Sequence, residues 1–204
     1  SAAIMNGETQ KMSGVINIQD VKNPIFVAKE LMKEDDRVLG GNGAKIYATK
    51  NGFENFSTEI PQRRKEYEEK LKTGGKGTVG AVAIDKHGKL AVATSTGGKG
   101  FEIPGRISDS ATVAGNFANK FCAVSCTGVG EDIVSNATAA KIVTRVTDGS
   151  TIDNAFDRTF EELKEIDGFA GAIGIDSEGN IFHQDSYPTM VFASFDGVDF
   201  EVFE

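Results

Sequence analysis

The chain changes character abruptly at one residue, and that change limits how it can fold. Residues 53–77 are polar, with Pro61, a mixed-charge run over Arg63–Lys72, and then Thr73-Gly74-Gly75-Lys76-Gly77. No apolar face recurs there, so the stretch reads as a linker, partly helical at most. At Thr78 a buried strand with a period of two begins: Thr78-Val79-Gly80-Ala81-Val82-Ala83-Ile84-Asp85. The 204 residues thus read as one domain, 1–204, in two portions. Residues 1–77 end in the linker, and residues 78–204 open on a threonine.

Upstream of the linker, residues 3–18 read as a hairpin turning at Asn6-Gly7, with Met12–Ile18 as the return strand. Asn23-Pro24 caps a helix that buries Phe26, Val27, Leu31 and Met32. After the glycines at 40–43, a short helix covers Ala44–Thr49. Downstream of Thr78, Val79–Asp85 and Leu90–Thr96 form a hairpin, and Thr112–Phe117 and Phe121–Cys126 a second strand pair. Apolar spacing predicts one helix over Glu131–Thr147, stopped by Gly149, and another capped by Ser150 and running to about Ile166. Strands return at Phe169–Asp176, Asn180–Phe182, Met190–Phe195 and Val198–Phe203. Strands, two helices, then strands suggest an α+β fold with helices layered on antiparallel sheets.

Composition removes several functions. A formal charge of -8 opposes nonspecific binding to nucleic acid or anionic membranes. No apolar run reaches membrane-spanning length, and Ser1–Gly7 lacks the basic and long apolar regions of a signal peptide. On a strand, Cys122 and Cys126 stand ~13 Å apart at ~3.3 Å per residue, too far for a disulfide. Both read as reduced core residues, which fits a cytoplasmic protein. The two histidines, His87 and His183, fall in turn and strand-end contexts, so no metal site is expected. Gly74–Thr78 and Gly97–Gly100 resemble phosphate loops only faintly, because neither has the required glycine spacing before Lys-Ser/Thr.

Four clusters carry chemistry. A threonine hydroxyl is a poor nucleophile without a neighbouring base. If the Gly77-Thr78 bond is cut, the freed α-amine of Thr78 becomes that base, titrating near about 7.7. Gly77 tolerates strained dihedrals and suits the residue lost. Taken alone, a threonine after a glycine linker is an ordinary strand residue. In Ala93-Thr94-Ser95-Thr96-Gly97-Gly98, Thr94 and Thr96 share one face, and pairing with the strand from Thr78 brings a hydroxyl near the nucleophile. In Pro104-Gly105-Arg106-Ile107-Ser108-Asp109-Ser110, Arg106 suits a carboxylate and Asp109 an ammonium, the two ends of an amino-acid head group; the plainer reading is an internal Arg–Asp pair. In Cys126-Thr127-Gly128-Val129-Gly130-Glu131, a strand ends and a helix opens. Thr127 and a glycine N–H there suit an oxyanion, although a glycine-rich helix start is the plainer reading.

In this order the clusters resemble the plant-type L-asparaginase/isoaspartyl peptidases of the N-terminal-nucleophile (Ntn) hydrolases. Ala3-Ile4-Met5-Asn6-Gly7 and Lys22-Asn23-Pro24-Ile25 resemble the same family's α-subunit. The resemblance implies an αββα four-layer sandwich and self-cleavage between Gly77 and Thr78 into an α-part and a β-part. It implies Thr78 as nucleophile, Thr96 as its hydroxyl partner, and Thr127 and Gly128 as the oxyanion hole. Arg106 would hold the substrate α-carboxylate and Asp109 its α-amine, with the Gly130 backbone alongside. The reaction is hydrolysis of L-asparagine and β-aspartyl dipeptides through a β-aspartyl-enzyme ester, by a homodimer of αβ units, without a cofactor. The family's N-terminal strand, helix and loop for a structural sodium or potassium ion are expected to be missing from these residues. Two alternatives follow: an inactive, N-terminally truncated member serving as a subunit or interaction module, or a glycosylasparaginase or threonine endopeptidase.

Overall fold

A computed structural model describes residues 1–57, 77–100, 102–186 and 190–203. Most of the expected linker, residues 58–76, lies outside the described residues. The N-terminal hairpin is β1 (Ala2–Asn6) and β2 (Lys11–Ile16), followed by α1 (Pro24–Leu31), β3 (Val38–Gly40) and α2 (Gly41–Lys50). Then come β4 (Thr78–Ile84), β5 (Leu90–Thr96), β6 (Asn116–Ala118) and β7 (Cys122–Gly128). Next are α3 (Gly130–Asn136), α4 (Thr138–Thr147), α5 (Ile152–Glu165), β8 (Ala170–Asp176), β9 (Ile181–Asp185), β10 (Phe192–Phe195) and β11 (Phe200–Phe203).

Two sheets organise these elements. One runs β3-β2-β1-β5-β4, the other β6-β7-β8-β9, while β10 and β11 pair separately. Period-two patterning decides what each strand face meets. On β7, Cys122, Val124 and Cys126 pack with Ile142, Val143, Phe156 and Leu163 of α4 and α5. On its other face, Ala123 joins Met5, Leu90, Val92 and Ile175, where the two sheets meet. A third cluster joins Ala2 and Val15 to Val27 and Leu31 of α1 and Ala44 and Ala48 of α2. Both cysteines are free and buried. Burial pushes the Cys122 thiol up to about 12 and the Cys126 thiol further still, so neither ionises near neutrality.

Several expectations are corrected. The strand from Thr78 is not buried: β4 is the last strand of its sheet, and Val79 is 69% exposed. Phe26 is exposed, because α1 turns only Val27, Ala28 and Leu31 inward. The helix expected over 131–147 is two helices broken at Ala137, which takes a left-handed φ of 52°. The break is tertiary in origin, since the Ala139 N–H leaves the helical ladder to donate to Ala114 O at 2.8 Å. Thr151, not Ser150, is the residue before α5, and Asn154 Nδ2 donates to its hydroxyl at 2.7 Å. The strand expected from Thr112 begins only at Asn116, because Thr112 turns back to donate its N–H to Asp109 O at 2.8 Å. The short β3 pairs in parallel with β2, so the first sheet is mixed. His183 sits within β9 rather than at its end.

Phe156 is fully buried, and its ring lies where a Cβ on Gly174 would stand, 2.8 Å from Cε2. Phe156→Ala is expected to cost about 3–5 kcal/mol in urea unfolding, whereas Phe195→Ala, at a ring 62% exposed, should change stability by less than about 0.5 kcal/mol.

Candidate active site

Pairing of β4 with β5 places Thr78 directly opposite Thr96. The Thr78 hydroxyl donates to Thr96 Oγ1 at 3.3 Å, and Thr96 donates in turn to the Gly77 carbonyl at 3.0 Å. The Gly98 N–H adds a third bond to Thr96 Oγ1, at 3.0 Å. A hydroxyl has one proton to give and two lone pairs to fill, so Thr96 is saturated. Its only proton rests on the carbonyl of the peptide bond that precedes Thr78. A Cβ on Gly77 would meet open space, and its backbone is outside the left-handed region, so sterics do not require glycine there in this state.

The loop between β5 and β6 supplies the charges. Arg106 Nε donates to Glu131 Oε1 at 2.5 Å and its NH2 group to Oε2 at 2.7 Å, a bidentate pair. The same NH2 group donates to Ser108 Oγ at 2.8 Å, and Ser108 donates to Asp109 Oδ1 at 2.9 Å. Arg106 and Asp109 are therefore joined through Ser108, not as the direct pair considered from the sequence. Asp109 is buried, and its Oδ2 has no hydrogen-bond partner among the described residues. Burial raises its pKa above the usual aspartate value, against the opposing Ser108 bond and the Arg106 charge.

The glycines of the third cluster make room. A Cβ at Gly130 would lie 2.5 Å from Asp109 Oδ1 and closer still to the Ser108 hydroxyl, so only glycine lets the start of α3 approach that pair. Gly128 has a φ of 120°, which excludes other residues, and it ends β7 facing the same space.

One small cavity is lined by Gly77, Thr78, Thr96, Arg106, Asp109 and the glycines 128 and 130. Thr127 is not on that lining. It borders a neighbouring cavity that is also lined by Thr78, Ser125 and Met190. Sequence reasoning assigned no role to Ser108 or Glu131. The signals were present: Ser108 stands between Arg106 and Asp109, and Glu131 is a carboxylate directly after the glycine that faces them.

Comparison with known proteins identifies the family. The asparaginase family profile (Asparaginase_2) matches residues 1–73 and 57–202. An isoaspartyl peptidase/L-asparaginase of Nostoc is 42% identical over 217 residues, covering 97% of this chain and 68% of the relative. The isoaspartyl peptidase of Escherichia coli is 38% identical, covering 88% of this chain and 63% of its own length. A plant-type L-asparaginase of Pyrococcus abyssi is 34% identical, covering 88% and 67%. These relatives are hydrolases by name, and the chain spans about two thirds of their length. It belongs to the asparaginase family.

Glu131 is held down to about 2, first by the hydrogen bonds from Arg106; Glu162 is also held to about 2, by Arg145 and then Lys141. Both folded values lie below the ordinary 4.5. Their stabilisation is therefore present above pH 4.5 and lost as pH falls towards 2. In acid titrations of unfolding free energy, Glu131→Gln and Glu162→Gln should each show a shallower fall across that window than the parent chain.

Proposed function

We propose that this chain is an autoprocessing N-terminal-threonine amidohydrolase acting on the side-chain amide of L-asparagine and on β-aspartyl dipeptides. The observation that carries the reading is the Thr78–Thr96–Gly77 hydrogen-bond chain, at 3.3 and 3.0 Å, in the cavity that also holds Arg106 and Asp109. The names of the relatives support the substrate class. The layered contacts support an Ntn-hydrolase αββα reading: α1 against β1 and β2, β4 and β5 against β7, and α4 against β7.

Processing begins with Thr96 polarising the Gly77 carbonyl. The Thr78 hydroxyl attacks that carbon, its proton passes to the departing amide nitrogen, and an ester joins Gly77 to Thr78 Oγ. Water hydrolyses the ester, leaving a carboxylate on Gly77 and a free α-amine on Thr78. In turnover the amine takes the Thr78 Oγ proton as the oxygen attacks the substrate's side-chain carbonyl. Thr127 and the Gly128 N–H stabilise the oxyanion. The proton goes to the leaving ammonia or amino acid, and water releases aspartate from the β-aspartyl ester. Arg106 and Asp109 bind the α-carboxylate and α-amine, with the Gly130 backbone beside them.

Nucleophile, base and oxyanion donors are all protein atoms, so the reading requires no cofactor. A structural sodium or potassium ion of the kind the resemblance implies would be held by a loop outside these residues, and no step is routed through it. A cytoplasmic homodimer of αβ units fits the same reading, and among the described residues no helix is long and apolar enough to cross a membrane.

Thr78→Ala is expected to abolish both cleavage and hydrolysis. Intact mass after incubation at neutral pH should show two fragments for the parent and one species near 21.7 kDa for the variant. A parent chain that stays whole would support the inactive alternative instead. The acid limb of kcat/KM should have two steps: a first as the Thr78 amine is protonated near about 7.7, and a second, lower one as Asp109, whose charged form binds the substrate amine, is protonated. Because burial raises the Asp109 pKa, that second step is expected at a higher pH than an ordinary aspartate near about 3.9 would dictate. Initial rates at low substrate across pH 3.5–7 measure this.

A further inference from the structure

A buried polar cluster lies between the two sheets, away from the cavity that holds Arg106 and Asp109. Thr94 on β5 donates to Asn116 Oδ1 at 3.0 Å, and the Thr94 and Ser125 hydroxyls are 2.7 Å apart. Since the one Thr94 proton is committed to Asn116, Ser125 is the donor in the second bond. All three residues are at most 3% exposed, and Asn116 Nδ2 has no hydrogen-bond partner among the described residues. A purely apolar contact is the cheaper way to join two sheets, so a polar joint with an unsatisfied amide demands a reason.

Position in the fold supplies one. Thr94 is two residues before Thr96 on β5, and Ser125 is two residues before Thr127 on β7. Side chains two apart share a strand face, so the cluster and the reacting hydroxyls form adjacent rungs, about 7 Å apart, in the same gap between the sheets. The opposing residue on β4 is Gly80, which pairs with Thr94 two positions after Thr78. A Cβ on Gly80 would fall 2.1 Å from Ser125 Oγ, so the missing side chain lets the serine hydroxyl rest on the β4 backbone. Asn116 pairs with Ser125 across β6 and β7, closing the cluster from the far side.

We infer that Thr94, Asn116 and Ser125 are positioning residues: their inter-sheet hydrogen bonds set the separation between Thr78–Thr96 on one sheet and Thr127–Gly128 on the other. This rests on the amidohydrolase reading above. Arg106 and Asp109 stand farther along the loop that joins β5 to β6, whereas the cluster bridges β5 and β7 directly beside the reacting hydroxyls, so its loss is expected to fall on the chemical step more than on affinity. Misplacing reacting groups by about 1 Å can cost two orders of magnitude in rate.

The test is steady-state kinetics on β-aspartyl dipeptide and asparagine, with kcat expressed per cleaved Thr78 and folding checked by thermal unfolding. Thr94→Val, Ser125→Ala and Gly80→Ala, which pushes Ser125 away while keeping every cluster hydroxyl, should each lower kcat about tenfold or more with KM within about twofold. Thr94→Ser, which retains the hydroxyl, should recover most of the lost kcat. Folded variants with unchanged kcat, or with KM raised and kcat preserved, would overturn the inference. So would Thr94→Ser behaving like Thr94→Val, or failure of all three disruptive variants to fold, which would make the cluster structural. A parent chain that turns over neither substrate overturns the amidohydrolase reading itself, and is separable because the parent then fails alongside its variants.

Discussion

Everything at the site depends on the register of one strand pair. Thr78 lies opposite Thr96 because β4 and β5 are joined by a tight turn in which Asp85 Oδ1 accepts the N–H groups of His87 and Lys89 at 2.8 and 2.9 Å. A slip of one residue would turn every side chain of β4 to the other face. Thr78 would then point to solvent and Val79 into the gap between the sheets. Val82 and Ile84, on the Thr78 face of β4, pack against the core between the sheets and would be turned outward by that slip, so ordinary core burial enforces the meeting of two threonines.

Charge is organised with similar economy. The Arg106 guanidinium is held by Glu131 from α3 and by Ser108 from its own loop. One local and one distant partner thus fix a single side chain, which is only 16% exposed. Asp109 is treated in the opposite way: it is buried and given one hydroxyl partner, and its other oxygen has none among the described residues. An acid kept short of partners retains an unmet demand for a donor or a cation, whereas an arginine already bidentate to a carboxylate is fixed in place.

Much of this was legible in the sequence because it is local. The switch to period two at Thr78, the short turn before Leu90 and the glycines around Thr127 each announce themselves within ten residues. What stayed hidden was tertiary. Ala137 is a good helix former, and nothing beside it says that Ala139 will bond to Ala114. Phe26 fits an apolar helical stripe, but the sheet beneath α1 offers burial only to Val27, Ala28 and Leu31. Thr127 lines a cavity together with Thr78, and that placement depends on how β7 stacks over β4, which no spacing encodes. The Glu131 pairing with Arg106 exists only because α3 starts against the Arg106 loop, a contact across 25 residues.

The place where β4 begins has a mechanical meaning. The strand's ladder opens at Thr78, paired with Thr96, and Gly77 stands just outside it. A break at that junction would sever the backbone without removing a single rung of the sheet. Covalent continuity and structural integrity are thereby separated: the two portions are stitched by strand pairing between β1 and β5, which lie on opposite sides of the cut. A molecule built in this way can be divided in two and keep its shape, like an arch whose centring is removed after the stones have locked.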